Sequence, residues 1–176
     1  TRDLNMAGIG VTTRLGYLGS AEFSYAESHH QAEKGNQYAV GYRYHTNRYG
    51  FNLRHIRRSE NFRDAAVHEN YQIPREESQA GISMTSAGGT FSASYFALRQ
   101  QDMGNPRFLN ISWSKSFFND ITAMISANKR LDGDEEVGFH LGISFPLGRT
   151  TQANISSQRD PEGRSRNHVQ AMQQTP

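Results

Sequence analysis

The sequence predicts an all-β protein, an antiparallel meander of about ten strands. Three observations carry this expectation. Apolar and polar residues alternate with a period of two in segment after segment. The apolar spacing of three and four that marks an amphipathic helix is missing from those segments. The connections between them alternate short and long along the chain. With 176 residues, the chain has the length of one ordinary domain, read as spanning residues 1–176.

The strands can be justified in order. Ala21, Phe23 and Tyr25 share one face. Tyr38, Val40, Tyr42 and Tyr44 form the next row, opposite Gln37, Ala39, Gly41, Arg43 and His45. Phe51 and Leu53 follow, and their row fades into the basic run "RHIRR". Ala80, Ile82 and Met84 stand against Gln79, Gly81 and Ser83, and Phe91, Ala93, Tyr95 and Ala97 against Ser92 and Ser94. Leu109, Ile111 and Trp113 then alternate with Asn110, Ser112 and Ser114. Ile121, Ala123, Ile125 and Ala127 oppose Thr122, Met124, Ser126 and Asn128. Val137, Phe139, Leu141, Ile143 and Phe145 oppose Gly138, His140, Gly142 and Ser144, and Ala153 with Ile155 begins a further strand.

Composition excludes several functions. Nineteen Lys and Arg against 17 Asp and Glu leave a balance of +2, too small to argue for nucleic acid. With no cysteine, thiolate metal sites, cysteine nucleophiles and disulfides are excluded. No signal peptide is visible from Thr1 and the chain does not begin with Met, so it reads as an excerpt or a processed product. No apolar run approaches the roughly 20 residues that a membrane-crossing helix needs. A barrel strand crosses with about ten residues, apolar on one face only. The mean hydropathy of -0.75 therefore does not exclude a membrane protein.

The polar face and the loops decide which all-β class is expected. Ser, Gly, Asn, Thr and Gln dominate that face, whereas the outside of a soluble sandwich would carry more Lys and Glu. Small neutral polar groups suit a water-filled barrel interior. The short connections fall near 46–48, 86–89, 116–120 and 148–151. The long or polar ones cover "ESHHQAEKGN", "RRSENFRDAAVHENYQIPREES", "QQDMGNP", "KRLDGDEE" and "SQRDPEGRSRN". In a meander, alternate connections lie at opposite ends of the sheet, so all the long ones share one end. Outer-membrane barrels sort their loops in this way. Aromatics near strand ends, where rings satisfy an apolar body and a polar edge, point the same way.

The expected fold is therefore an outer-membrane transmembrane barrel. Tyr42, Tyr44, Leu109, Ile111, Trp113, Val137, Phe139, Leu141, Ile143 and Phe145 are its candidate lipid-facing residues. Arg43, Asn110, Ser112, Asn128, His140 and Ser144 are its candidate lumen-facing residues. The alternative is a soluble β-sandwich binding or adhesin module, with the apolar rows turned inward.

Catalytic patterns are missing. His29 and His30 fall in a Glu-containing loop, and the other histidines have no spacing that recommends metal ligation. No Gly-rich phosphate loop is followed by a Lys, and no Ser sits in a nucleophile elbow. The cluster Arg54, His55, Arg57 and Arg58 reads as a strand running out into an external loop, where Glu60, Asp64 and Glu69 follow. Lining a lumen or binding an anion is its other reading. The "NIS" triplets at Asn110 and Asn154 lie inside predicted strands, so their match to a glycosylation pattern is chance. No enzyme activity and no cofactor are expected.

Two longer stretches have a family resemblance. "GYRYHTNRYGFN" and "LNISWSKSFFNDITAMISANKRLDGDEEVGFHLGISFPLG" resemble, in order and spacing across residues 38–148, hairpins of the fimbrial outer-membrane ushers. "VQAMQQTP" is similar to the segment that leads into the next usher strand. The resemblance implies that the chain is part of a large barrel, a segment of the usher barrel C-terminal to its plug, in the outer membrane of a Gram-negative bacterium. It implies a pore for assembly and secretion of pilus subunits. The partners would be periplasmic chaperone–subunit complexes, pilus subunits and outer-membrane lipid. Energy would come from subunit folding and exchange. No plug, chaperone-binding or subunit-binding residue transfers to a position here, and residues 58–76 do not align with the family pattern. A different outer-membrane porin or transporter barrel shares nearly every physical expectation.

Overall fold

A computed structural model describes residues 4–30, 33–64, 73–100, 104–118, 121–133, 137–147, 151–160 and 163–173. They form eleven strands in a single antiparallel meander, hydrogen-bonded in the order β1 to β11. The strands are β1 (Leu4–Arg14), β2 (Ser20–His30), β3 (Glu33–His45), β4 (Tyr49–Arg58), β5 (Glu76–Ser86) and β6 (Gly89–Arg99). β7 (Arg107–Phe117), β8 (Ile121–Arg130), β9 (Val137–Pro146), β10 (Thr151–Arg159) and β11 (Ser165–Gln173) complete the order. The all-β antiparallel expectation is correct, with one more strand than "about ten".

The chain divides into two compact units, Thr1–Ile82 with Tyr95–Arg107, and Ser83–Ser94 with Phe108–Pro176. In the first, the registers put Ile9, Tyr25 and Tyr38 side by side, then Val11, Phe23 and Val40, then Tyr42 with Leu53 and Tyr44 with Phe51. In the second, Trp113, Ile125 and Leu141 share a row, as do Ile111, Ala127 and Phe139, and Ala123, Ile143 and Ile155. Directly paired residues lie on the same side of a sheet, so each unit has one apolar and one polar face.

Burial runs opposite to that of a soluble sandwich. In β9, Phe139, Leu141 and Ile143 are 55%, 49% and 42% exposed. Between them on the polar face, His140, Gly142 and Ser144 are half-buried. Ile9, Val11, Phe23, Val40 and Leu53 are likewise exposed. The fully buried residues of β2 and β3 instead lie on the polar face, where Ser24 pairs with Ala39 and Ser28 with Gly35. An apolar face of this extent facing water would be costly, at roughly 25 cal/mol for each Å² left uncovered.

The structure adds to the sequence expectations and departs from them in places. Residues 4–14 are strand β1, in which Gly8 and Gly10 alternate with Ile9 and Val11. "ESHHQAEKGN" is mostly strand, since β2 runs to His30 and β3 starts at Glu33, so His29 and His30 belong to β2 and not to a loop. The apolar row fades at "RHIRR" as expected, with His55 beside Val40 and Arg57 beside Tyr38, and β4 runs to Arg58 before the long connection. "SQRDPEGRSRN" reduces to the turn between Arg159 and Ser165, and "VQAMQ" belongs to β11. Several expected loop residues lie outside the described residues: 31–32, 65–72, 101–103, 134–136 and 148–150, and with them His68 and Glu69.

The connections are sorted only in part as expected, since at the end that carries the longest ones residues 31–32 alone join β2 to β3 and 160–164 join β10 to β11. Those at one end join β1 to β2, β3 to β4, β5 to β6, β7 to β8 and β9 to β10, and all are short. At the other end, residues 59–75 join β4 to β5 and 100–106 join β6 to β7. The short turns are firmly closed. Thr46 Oγ1 accepts from the Tyr49 amide at 2.9 Å, and the Leu15 amide donates to the Gly19 carbonyl at 2.8 Å. At Gly89 a φ of 112° lies in the left-handed region, and an added Cβ would collide with the Ser114 carbonyl oxygen. The tight turn this permits lets Trp113 Nε1 donate to the Gly88 carbonyl at 2.9 Å.

Candidate polar-face passage and its apolar outside

The polar face of the first unit is built on a repeated device, a long polar side chain lying across a glycine. Glu22, Gly41 and Arg54 are direct neighbours on β2, β3 and β4. Glu22 lies over Gly41, where a Cβ would strike its side chain, and reaches Arg54 Nε at 3.7 Å. Asn52, paired with Arg43, lies over Gly81 in the same way. Nearer the long connections, Arg58 donates to Gln37 Oε1 at 2.6 Å, to the Pro74 carbonyl at 2.9 Å and to Glu77 Oε2 at 3.0 Å. These contacts hold charged groups against the sheet instead of leaving them extended.

Residues 59–64 add a second layer over that face. The Ser59 amide donates to the Asn36 carbonyl at 2.9 Å, and the Asn36 amide to Ser59 Oγ at 2.8 Å. The Arg63 amide donates to Ser28 Oγ at 3.0 Å. Gly35 leaves room for the backbone at Asn61 and Phe62, which a Cβ there would strike. Phe62 and Ser28 are buried as a result. Ser28 and Gly35 belong to the same face as Glu22 and Arg54, so this segment narrows the space beside the polar face.

In the second unit the polar face is neutral and hydroxyl-rich. Ser92 and Ser112 share a hydrogen bond of 2.7 Å, and Ser116 and Thr122 one of 3.1 Å. Asn110 pairs with Asn128, and Ser126 with both Ser112 and His140. Ser144 stands between Thr122 and Asn154. Asn128 lies over Gly138, as Glu22 lies over Gly41.

The registers sort the sequence-selected residues onto two opposite faces within each unit. Arg43 lies with Ser20 and Asn52; Asn110, Ser112, Asn128, His140 and Ser144 share the polar face of their unit. Tyr42 and Tyr44 lie on the apolar face of the first unit, where Tyr42 and Phe51 have ring centroids 5.9 Å apart. The Tyr42 hydroxyl donates to the Leu18 carbonyl beside the first short turn. Leu109, Ile111, Trp113, Val137, Phe139, Leu141, Ile143 and Phe145 share the apolar face of the second. There Trp113 lies 6.4 Å from Phe91, again beside a short turn. Neither the Glu22–Arg54 pair nor the 59–64 layer can be read along the chain; a glycine recurring on the polar face was the available signal.

No family model matches the sequence, and no curated protein matches it. In fold the chain is similar to a solved KdgM porin, with a TM-score of 0.50 and 9% sequence identity. The likeness covers 99% of this chain and 94% of that one. The chain therefore shares a porin-like antiparallel β fold. Among the described residues no group of three or more His, Asp or Glu is placed to hold a metal. No described helix is long and apolar enough to cross a membrane, which leaves crossing by strands untouched.

Proposed function

We propose that the protein is an outer-membrane barrel of the porin or transporter kind, passing ions and small hydrophilic solutes passively along its polar face. The observation that carries this reading is the inverted burial, with Ile9, Phe23, Val40, Phe139, Leu141 and Ile143 exposed while Ser28, Gly35, His140 and Ser144 are buried or half-buried. Hydrocarbon is the solvent in which that arrangement is stable once β1 and β11 close the sheet, because closed strands satisfy their own backbone groups there. Phe139, Leu141 and Ile143 then face lipid, whereas Arg43, Asn110, Ser112, Asn128, His140 and Ser144 face the passage. Val137 to Phe145 is about 26 Å of strand at roughly 3.3 Å per residue. Tilted about 40°, it spans about 20 Å, near the height of a barrel's apolar band.

Passage follows from the same chemistry. A face of hydroxyls and amides stays wet, and Glu22, Arg54, Arg58 and Glu77 give it charges of both signs. Residues 59–64 restrict the space beside it. Refolded into a planar bilayer, the protein is expected to open ohmic, voltage-tolerant channels. A correctly inserted protein that conducts nothing would overturn the reading.

Secretion of pilus subunits by a fimbrial usher is the second reading, supported by the ordered motifs across 38–148. The fold likeness to a porin of similar length supports a small-solute barrel better, and no family model adds weight to the usher. Specific binding of chaperone–subunit complexes by the membrane-inserted parent protein would restore it.

A further inference from the structure

The exposed face of the first unit changes character within a few residues. Phe23 and Val40 stand side by side, Tyr25 and Tyr38 are the next pair, and Arg57 pairs with Tyr38. Beyond the tyrosines, a cleft of about 420 Å³ opens at the end of the long connections, lined by Tyr38, Arg57, Arg75, Glu76 and Arg99 among others. Its cations exceed its anions. Glu76 alone is shared by Arg57 Nε at 3.4 Å and Arg99 Nη1 at 3.6 Å, both loose contacts. The two guanidinium side chains are 59% and 66% exposed. Arg75 meets Glu60 through Nη2 at 2.6 Å. Its Nε is buried without a hydrogen-bond partner among the described residues.

We propose that this cleft binds the phosphate of a lipid headgroup in the leaflet around the long-connection end of the barrel. The proposal rests on the membrane reading above. Guanidinium forks match phosphate oxygens in pairs, and a phosphate between Arg57 and Arg99 would supply the acceptors that Glu76 now divides. Position separates a lipid from a soluble anion. The cleft lies directly beyond Val40 and Phe23, so a headgroup held there leads its acyl chains along the exposed apolar row. The Tyr25 and Tyr38 rings stand where headgroup and hydrocarbon meet.

The test uses the full chain refolded in detergent, with native mass spectrometry reading retained lipid. The probes are a diphosphorylated glucosamine-disaccharide lipid, the same lipid without phosphates, and inorganic phosphate. Heat-modifiable electrophoretic migration confirms folding, and conductance is recorded in parallel. The expected result is retention of the phosphorylated lipid, at least tenfold weaker without phosphates and at least tenfold weaker in Arg57→Gln/Arg99→Gln. Equal retention by the folded variant overturns the proposal. So does inorganic phosphate binding as tightly as the lipid, which would make the cleft a free-anion site. Conductance that persists in the variant separates the two claims: its absence from every protein sinks the porin reading, whereas unchanged lipid retention sinks only the cleft.

Discussion

Glu22 and Arg54 meet because Gly41 between them has no side chain. The pair is half-exposed at 3.7 Å, so its stability contribution is small, roughly 0–1 kcal/mol. In the proposed pore, its larger effect is on the field beside the passage. Arg54→Glu is expected to leave thermal stability nearly unchanged and to shift the zero-current potential toward cation selectivity in a salt gradient. An unchanged potential would remove Arg54 from the passage wall. Such residues were only partly legible. Alternation grouped Arg43 with Asn52, and His140 and Asn128 with Ser126 and Gly138, because parity is a local property. The Glu22–Arg54 meeting needs the registers of three strands, which no single stretch of sequence contains.

Elements were read best where apolar side chains are large. β9 was evident from five apolar residues on one face. β1 was hidden by Gly8 and Gly10, and β11 by having only Val169, with Ala171, on its apolar side. At β9 the prediction is asymmetric. Leu141→Arg should cost about 2–4 kcal/mol of folding free energy in lipid near the bilayer midplane. His140→Arg, one residue away on the polar face, should change conductance and little else. Gly35→Val should push residues 59–64 off the polar face, raising single-channel conductance and the exchange rate of the Arg63 amide.

The turn between β10 and β11 has its own pH dependence. Partial desolvation, the largest single influence, pushes the Asp160 carboxyl up. The hydrogen bonds from the Arg164 amide and guanidinium, with the charges of Arg164 and Arg166, together outweigh it and hold Asp160 below the usual carboxylate range. A carboxyl lowered in the folded state contributes stability above its unfolded pKa, lost as pH falls through the folded one. Hydrogen exchange at the Arg164 amide should therefore accelerate below about pH 4, beyond the intrinsic change. Asp160→Asn should abolish that step.

At the scale of the whole molecule, the exposed rows of Ile9, Phe23, Val40, Phe139, Leu141 and Ile143 set the solvent the chain requires. Without detergent or lipid, the polypeptide is expected to aggregate on refolding, since those faces and the terminal strands' edges would find each other. A cooperatively folded monomer in plain buffer, seen by sedimentation and thermal melting, would restore the soluble sandwich. The fold class was readable from period and loop sorting, which act along the chain. The choice between porin and usher was not, because short motifs such as "GYRYHTN" also suit any barrel hairpin with an aromatic rim.

Spin labels placed singly at positions 137, 139, 141 and 143, and at 140 and 144, test the inverted burial most directly. In protein reconstituted into lipid vesicles, the odd series should be relaxed by oxygen and shielded from a water-soluble nickel chelate. The even pair should show the reverse. If oxygen reaches neither series, the apolar rows lie against protein and the membrane account is wrong.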